Sequence, residues 1–245
     1  SELQRVTSAT FENIDLNGNS VIIDVSDYHG LWTTGFEDAI VEKSPFYSQT
    51  GVRIGSVDLM KVKRRAKMAY VQSINAKALE LPVGQNGRYR LIFALVLDSN
   101  TATAVKRIQS TIVDEFLSSL KESYVPIDIA IPRVNITTEL DVKSILEDFG
   151  VKDLWTNPAV TGYMSNPAAL PSGFVQRASL SLDTAGLKQA PSVHFSSPSY
   201  NAPTGLDPIL GNDFIVDRPF LFALFDAETY TCIMAVVVSQ PTYTD

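Results

Sequence analysis

Residues 76–97 read AKALELPVGQNGRYRLIFALVL, and this stretch decides the class of fold. Ala76 to Val83 sets Ala76 and Ala78 against Lys77, then Leu79 and Leu81 around Glu80, the alternation of a strand with one face buried. Leu91 to Leu97 is apolar on both faces, as a core strand is. Gly84-Gln85-Asn86-Gly87 between them has the residue chemistry of a hairpin loop. Working outward, extended segments are expected at Val21 to Val25, at Asp27 to Trp32 with a turn near Gly30, and at Val52 to Met60 and Ala66 to Gln72. Val125 to Ile131 reads as a strand stopped by Pro132, followed by Phe174 to Leu182, Pro219 to Phe225 and Cys232 to Val238, the last two joined through Asp226-Ala227-Glu228-Thr229. Helical spacing is confined to three places: Ser99 or Thr101 through Gln109, Ile112 to Leu120, and Asp141 to Phe149 ended by Gly150. Leu187 to Gly211 is a loop rich in Pro, Ser and Asn. Strands in runs with clustered helices predict an α+β fold with mixed and antiparallel sheets. With no internal repeat and no Pro/Gly linker, residues 1–245 are expected to form one domain.

Composition narrows the function. The 245 residues are 45% hydrophobic and 19% charged, which excludes a disordered chain. A net charge of -7 disfavours nucleic acid as a partner. One cysteine and two histidines leave little material for a disulfide framework or a zinc site. No apolar run approaches the ~18 residues of a membrane span. The chain starts at Ser1 without Met or a leader pattern, which predicts a processed or trimmed N-terminus. The sequon Asn135-Ile136-Thr137 matters only for an exported protein.

The residues that carry chemistry elsewhere read here as structural. His29 falls at a turn and His194 in the long loop, with no nucleophile elbow to join. Cys232, at the start of an apolar strand, reads as a small core thiol. Lys61, Lys63, Arg64, Arg65 and Lys67 make an anion patch of polysaccharide or phosphate type or, on the simpler reading, a solvated turn. Asp24, Asp27, Asp141 and Asp183 are too scattered to form a catalytic pair. No cofactor fingerprint occurs, and an enzyme is not expected.

Four motifs in order resemble one family. Phe214-Ile215-Val216-Asp217-Arg218-Pro219-Phe220-Leu221-Phe222 is similar to the serpin signature, in which a Pro-Phe-x-Phe strand enters the core. Asp141 to Val151 resembles the serpin Asp-Leu-x-x-x-Leu-x-x-Leu-Gly-Ile helix, Ala78-Leu79-Glu80-Leu81-Pro82 the Ala-Leu-Glu-Leu-Pro strand, and His29-Gly30-Leu31-Trp32 with Phe36 the Lys-Gly-x-Trp-x-x-x-Phe that closes a strand of the central sheet. The resemblance implies a serpin-like fold whose chain begins just before the third strand of sheet A, without the N-terminal helices. It also implies a reactive-loop equivalent at about 187–206.

Serpins trap proteases by inserting the hinge of a cleaved loop as a new central strand, which calls for small residues and free backbone donors. The hinge equivalent here is Thr184-Ala185-Gly186-Leu187-Lys188-Gln189-Ala190-Pro191. Only Gly186 and Ala190 fit the family pattern, and Pro191, Pro198 and Pro203 lack the donor a central strand needs, so loop insertion is not expected. Asp24 and Gln176 stand where the family has Asn and His, and Thr184 stands where it has a Glu that pairs with the basic residue at Arg133. The expected function is that of a non-inhibitory structural or interaction subunit of a larger assembly, such as a viral particle or storage body. The alternatives are an inhibitor with its bait near Tyr200, Thr204 and Gly205, and a carrier of a small hydrophobic ligand. Strands Leu91 to Leu97, Leu221 to Phe225 and Ile233 to Val238 would bare a face that the family covers with helices. The expected partner is therefore another polypeptide, either an N-terminal serpin fragment or further copies, in an extracellular or assembly setting.

Overall fold

The computed structural model describes residues 20–26, 30–33, 36, 39–84, 87–97, 117–157, 170–188 and 213–241. The first predicted helix and all but the end of the second lie outside these residues, as do both histidines. The chain divides into two units: Ser1–Tyr28 with Thr137–Ser179, and His29–Ile136 with Leu180–Asp245.

In the larger unit the hairpin forms as its sequence requires. Strand β6 (Ala76–Val83) pairs antiparallel with β7 (Tyr89–Val96), and Gly84 and Gly87 both take positive φ in the connection. They lie in a six-stranded sheet of order β15-β14-β7-β6-β5-β8, with β5 at Lys67–Val71, β8 at Lys121–Glu122, β14 at Phe220–Asp226 and β15 at Thr231–Val238. A second sheet of order β13-β9-β4-β3 holds β3 (Ile40–Tyr47), β4 (Arg53–Arg64), β9 (Ile127–Pro132) and β13 (Phe214–Ile215).

Residues Leu91 to Val96 are all buried, and Phe93, Phe220 and Phe222 form a ring cluster with centroids 5.8–6.3 Å apart. On the other face of the same sheet Val71, Ile74, Ala76, Ala78, Ile92 and Val96 pack with Leu120, and Leu117 lies against them. The chain's own helical end at 117–120 thus covers part of the face expected to be bare, and β7 is enclosed on both sides. Protection fades toward β15, where Ile233 and Val237 are about half exposed.

Three expectations are corrected here. Strand β6 is buried on both faces, because Glu80 is drawn inside by Lys67 at 3.1 Å and Arg90 at 3.5 Å. Cys232 is exposed, since β15 is an edge strand with its outer residues open, and partial desolvation pushes its thiol pKa up. The run of cations lies on β4, β5 and their connection rather than in a turn, and Lys61 and Lys63 meet Glu42 and Asp128. Strand β3 escaped the sequence reading because charges and Pro45 break its apolar alternation, which an edge strand tolerates.

Arg88 pins the β14–β15 hairpin. Its Nη2 and Nε donate to Asp226 Oδ2 at 2.6 and 3.1 Å, and the Glu228 amide donates to Oδ1 at 2.9 Å. The Arg88 bond, then that amide, hold the Asp226 carboxyl below its ordinary range. A depressed carboxylate stabilises the fold above its unfolded pKa of about 3.9, and that contribution is lost as pH falls through the lower folded value. Acid titrations of unfolding should therefore show a loss of stability below about pH 4 that Asp226→Asn removes, the variant being the less stable protein at neutral pH.

In the smaller unit β1 (Ser20–Ser26) runs parallel to β11 (Pro171–Asp183), in register from Val21 opposite Gly173 to Ser26 opposite Ala178. Strand β10 (Val134–Asp141), polar and exposed over most of its length and so invisible to a search for apolar alternation, pairs with β11. It leads into α1 (Val142–Asp148), where Asp141 accepts from the Ser144 amide and hydroxyl, and Gly150 at φ +88° follows the helix. The apolar residues at helical spacing stay partly open among the described residues: Ile145 is exposed and Phe149 is 82% exposed. A four-residue helix, α2 (Asp153–Thr156), buries Trp155, with the Lys143 ammonium 5.6 Å from its ring.

Candidate functional site

Strand β11 ends at Asp183, and β12 (Gly186–Lys188) turns back along that end. The turn is Thr184-Ala185, both half-buried. Asp183 makes it: Oδ1 accepts from the Ala185 amide at 2.7 Å and from the Gly186 amide at 3.2 Å, an Asx-type turn. Strand β12 is antiparallel to β11 on one side and, on the other, to β2 (Gly30–Leu31), with Gly186 opposite Leu31 and Leu187 opposite Gly30. Within the hinge equivalent, Gly186 and Leu187 therefore lie as a strand between two others, and Lys188 pairs with β11. This corrects the loop expected to begin at Leu187, whose side chain is fully buried.

Gly186 is required for this wedge. Its φ is +143°, a region closed to residues with a Cβ, and a Cβ there would lie 2.2 Å from the Gly30 carbonyl oxygen and 2.8 Å from Leu31 Cα. Trp32 fastens the turn from the side, its indole N–H donating to the Asp183 carbonyl at 2.9 Å and its amide to that of Ala185 at 3.2 Å. The ring is buried, 5.0 Å from Phe36, over which the Arg64 guanidinium sits at 4.8 Å. Thr33 and Leu31 bond to the end of β6, the Thr33 amide to Pro82 and the Gly84 amide to Leu31.

The register of β12 fixes what further insertion would meet. With Lys188 opposite Ser181, continuation along β11 would bring Gln189 to Leu180, Ala190 to Ser179 and Pro191 to Ala178. Ala178 is where β11 is already paired with β1, opposite Ser26. Two rungs below it, Gln176 Nε2 donates to Asp24 Oδ2 at 2.6 Å, so the pair that replaces the family's Asn and His ties these strands together.

Among the site residues expected from sequence, Thr184, Gly186, Leu187, Lys188 and Trp32 converge on this hinge. Pro191, Tyr200, Thr204 and Gly205 lie outside the described residues. Phe214 and Phe220 lie on β13 and β14 in the other two sheets, with Asp217 and Pro219 in the link between them: Phe214, Pro219 and Phe220 are buried, and the Asp217 carbonyl accepts from the Tyr47 amide at 2.8 Å beside its ion pair with Arg218. Asp183, one of the scattered carboxylates of the sequence, shapes the hinge, and Asp-Thr-Ala-Gly between two strands is itself a turn signal.

A returning strand started beside the end of β11 and a Pro-Phe-x-Phe strand in the core together define a class of protein. The family model described as serpin (serine protease inhibitor) matches residues 4–241, and the chain belongs to the serpin family. It is 24% identical over 215 residues to an FXa-directed anticoagulant of Aedes aegypti, covering 87% of this chain and 48% of that protein. It is also 24% identical over 236 residues to human corticosteroid-binding globulin, covering 94% of this chain and 54% of that one. The chain spans about half the length of the curated relatives it matches. A serpin of the trematode Schistosoma haematobium superposes with TM-score 0.75 at 22% identity, covering 98% of this chain and 61% of its own. Thyroxine-binding globulin in complex with thyroxine gives the same TM-score at 15% identity, with 98% and 63% covered.

Proposed function

We propose that this chain is part of a non-inhibitory serpin that works as a binding or structural component rather than a protease trap or an enzyme. One observation carries the reading, the register of β12: continued past Lys188 in that register, the chain would set Pro191 against Ala178, the last rung that β11 shares with β1. Three residues of the hinge, Gly186 to Lys188, are seated, and two more could follow without opening that ladder. The next brings no N–H to bond, and the Gln176–Asp24 bond must break soon after. Each orphaned partner costs about 1–3 kcal/mol, against the release of strain that drives trapping in the family. Relatives with binding names, corticosteroid-binding globulin and thyroxine-binding globulin, are in keeping with a serpin body put to other use. The apolar row left open on β15 at Ile233 and Val237 supports a contact with another polypeptide, the rest of a serpin body or a further copy, in a larger assembly. Incubation with a panel of serine proteases, read by denaturing gel, should give cleavage near residues 196–206 and no covalent adduct, and the clipped chain should melt within a few degrees of the intact one. An adduct, or a large rise in melting temperature after the clip, would falsify the proposal.

A further inference from the structure

Where β4 gives way to β5, a cavity of about 210 Å³ is lined by Arg64, Arg65, Lys67 and Arg90, with Glu80 and Glu122. We propose that this cavity binds a compact tetrahedral anion, a sulfate or phosphate group, free or carried on a sugar. In a chain of net charge -7, four cations against two carboxylates among the described residues around one small space is a local excess of positive charge. Lys61 and Lys63, on the same strand, are held by Glu42 and Asp128 and line no part of it.

The carboxylates do not cancel that excess. Glu80 is almost fully buried, and its Oε1 takes both Lys67 at 3.1 Å and Arg90 at 3.5 Å, so one negative charge fixes two cations in place. Glu122 is exposed, opposite Lys67 on the neighbouring strand. Arg64 and Arg65 come from the end of β4 and the connection after it, Arg64 partly buried against Phe36 and Arg65 exposed. A guanidinium presents its N–H groups as a fork that matches two oxygens of a sulfate or phosphate, and a partly desolvated one gains more from an anion than a hydrated one. Burial lowers the Arg64 pKa in the same sense. The space lies below the ~300–1,000 Å³ of sites for drug-sized ligands, which suits a single oxyanion with the edge of its carrier.

The test is calorimetric titration of the chain with sodium sulfate, sodium phosphate and a sulfated disaccharide, all at one ionic strength set with sodium chloride. Saturable one-to-one binding is expected for at least one of them. Arg65→Glu, a change at an exposed position, should weaken it about tenfold or more, and Glu122→Gln should tighten it a few-fold, by removing a repulsive charge. Melting temperatures of both variants should stay near that of the parent. Equal affinity for sulfate and the disaccharide assigns the free anion as ligand, and clearly tighter disaccharide binding assigns the sugar-borne group. The proposal is overturned if none of the three saturates, or if binding is the same in both variants as in the parent.

Discussion

Gly186→Ala should expel β12 from between β11 and β2. A Cβ at this residue meets the Gly30 carbonyl oxygen at 2.2 Å and the Leu31 Cα at 2.8 Å, both backbone atoms that cannot rotate aside, and φ of +143° is closed to alanine in any case. Losing the seat exposes Leu187, worth about 1.5–3 kcal/mol, and breaks the bond between the Trp32 amide and the Ala185 carbonyl along with the strand rungs, at about 0.5–1.5 kcal/mol each. The sum is roughly 3 kcal/mol or more, so the Trp32 amide should exchange with solvent at least about a hundredfold faster while β7 amides change little. Gly51→Ala is the control: its φ is also positive, but nothing lies within 4 Å of the added methyl, so the hinge should not respond. Unaltered protection of Trp32 in the Gly186 variant would mean that β12 does not occupy this seat in solution.

Phe220→Ala should cost about 3–5 kcal/mol of unfolding free energy. The ring is fully buried, flanked by Phe93 at 6.3 Å and Phe222 at 6.1 Å, on β14 in the interior of the six-stranded sheet. Removing it leaves a cavity that neighbours held on two strands cannot fill. Phe149→Ala makes the same chemical change on a side chain 82% exposed, and its effect should stay within about 0.5 kcal/mol. Denaturant melts of the two variants compare them directly, and equal losses would contradict the packing described here.

That pair also marks how far the sequence can be read. Phe220 follows Pro219 in an unbroken apolar strand, and both its strand and its place in the core were legible. Phe149 sits at helical spacing with Val142, Ile145 and Leu146, which made the helix legible, and the described residues leave its ring open. Periodicity reports which face of an element is apolar and says nothing about what lies across from it. Cys232 failed for the same reason: its strand was right, and its place at the sheet's edge depends on strand order. Glu80 failed in the opposite sense, because a carboxylate at an alternating position reads as solvent-facing until Lys67 and Arg90 are brought to it from two neighbouring strands.

The sequence by itself determined the α+β class, the hairpin at 76–97, the capped helix after Asp141, the serpin motifs, and the proline that the hinge must confront. Each is written in local chemistry: turn residues, side-chain period, a missing N–H. Only the tertiary structure decided that Gly186 to Lys188 are already a strand, that Gly186 and Leu187 lie beside β2, and that Trp32 holds the turn before them. Those facts are registers between segments about 150 residues apart, set by long-range hydrogen bonds that no local pattern encodes.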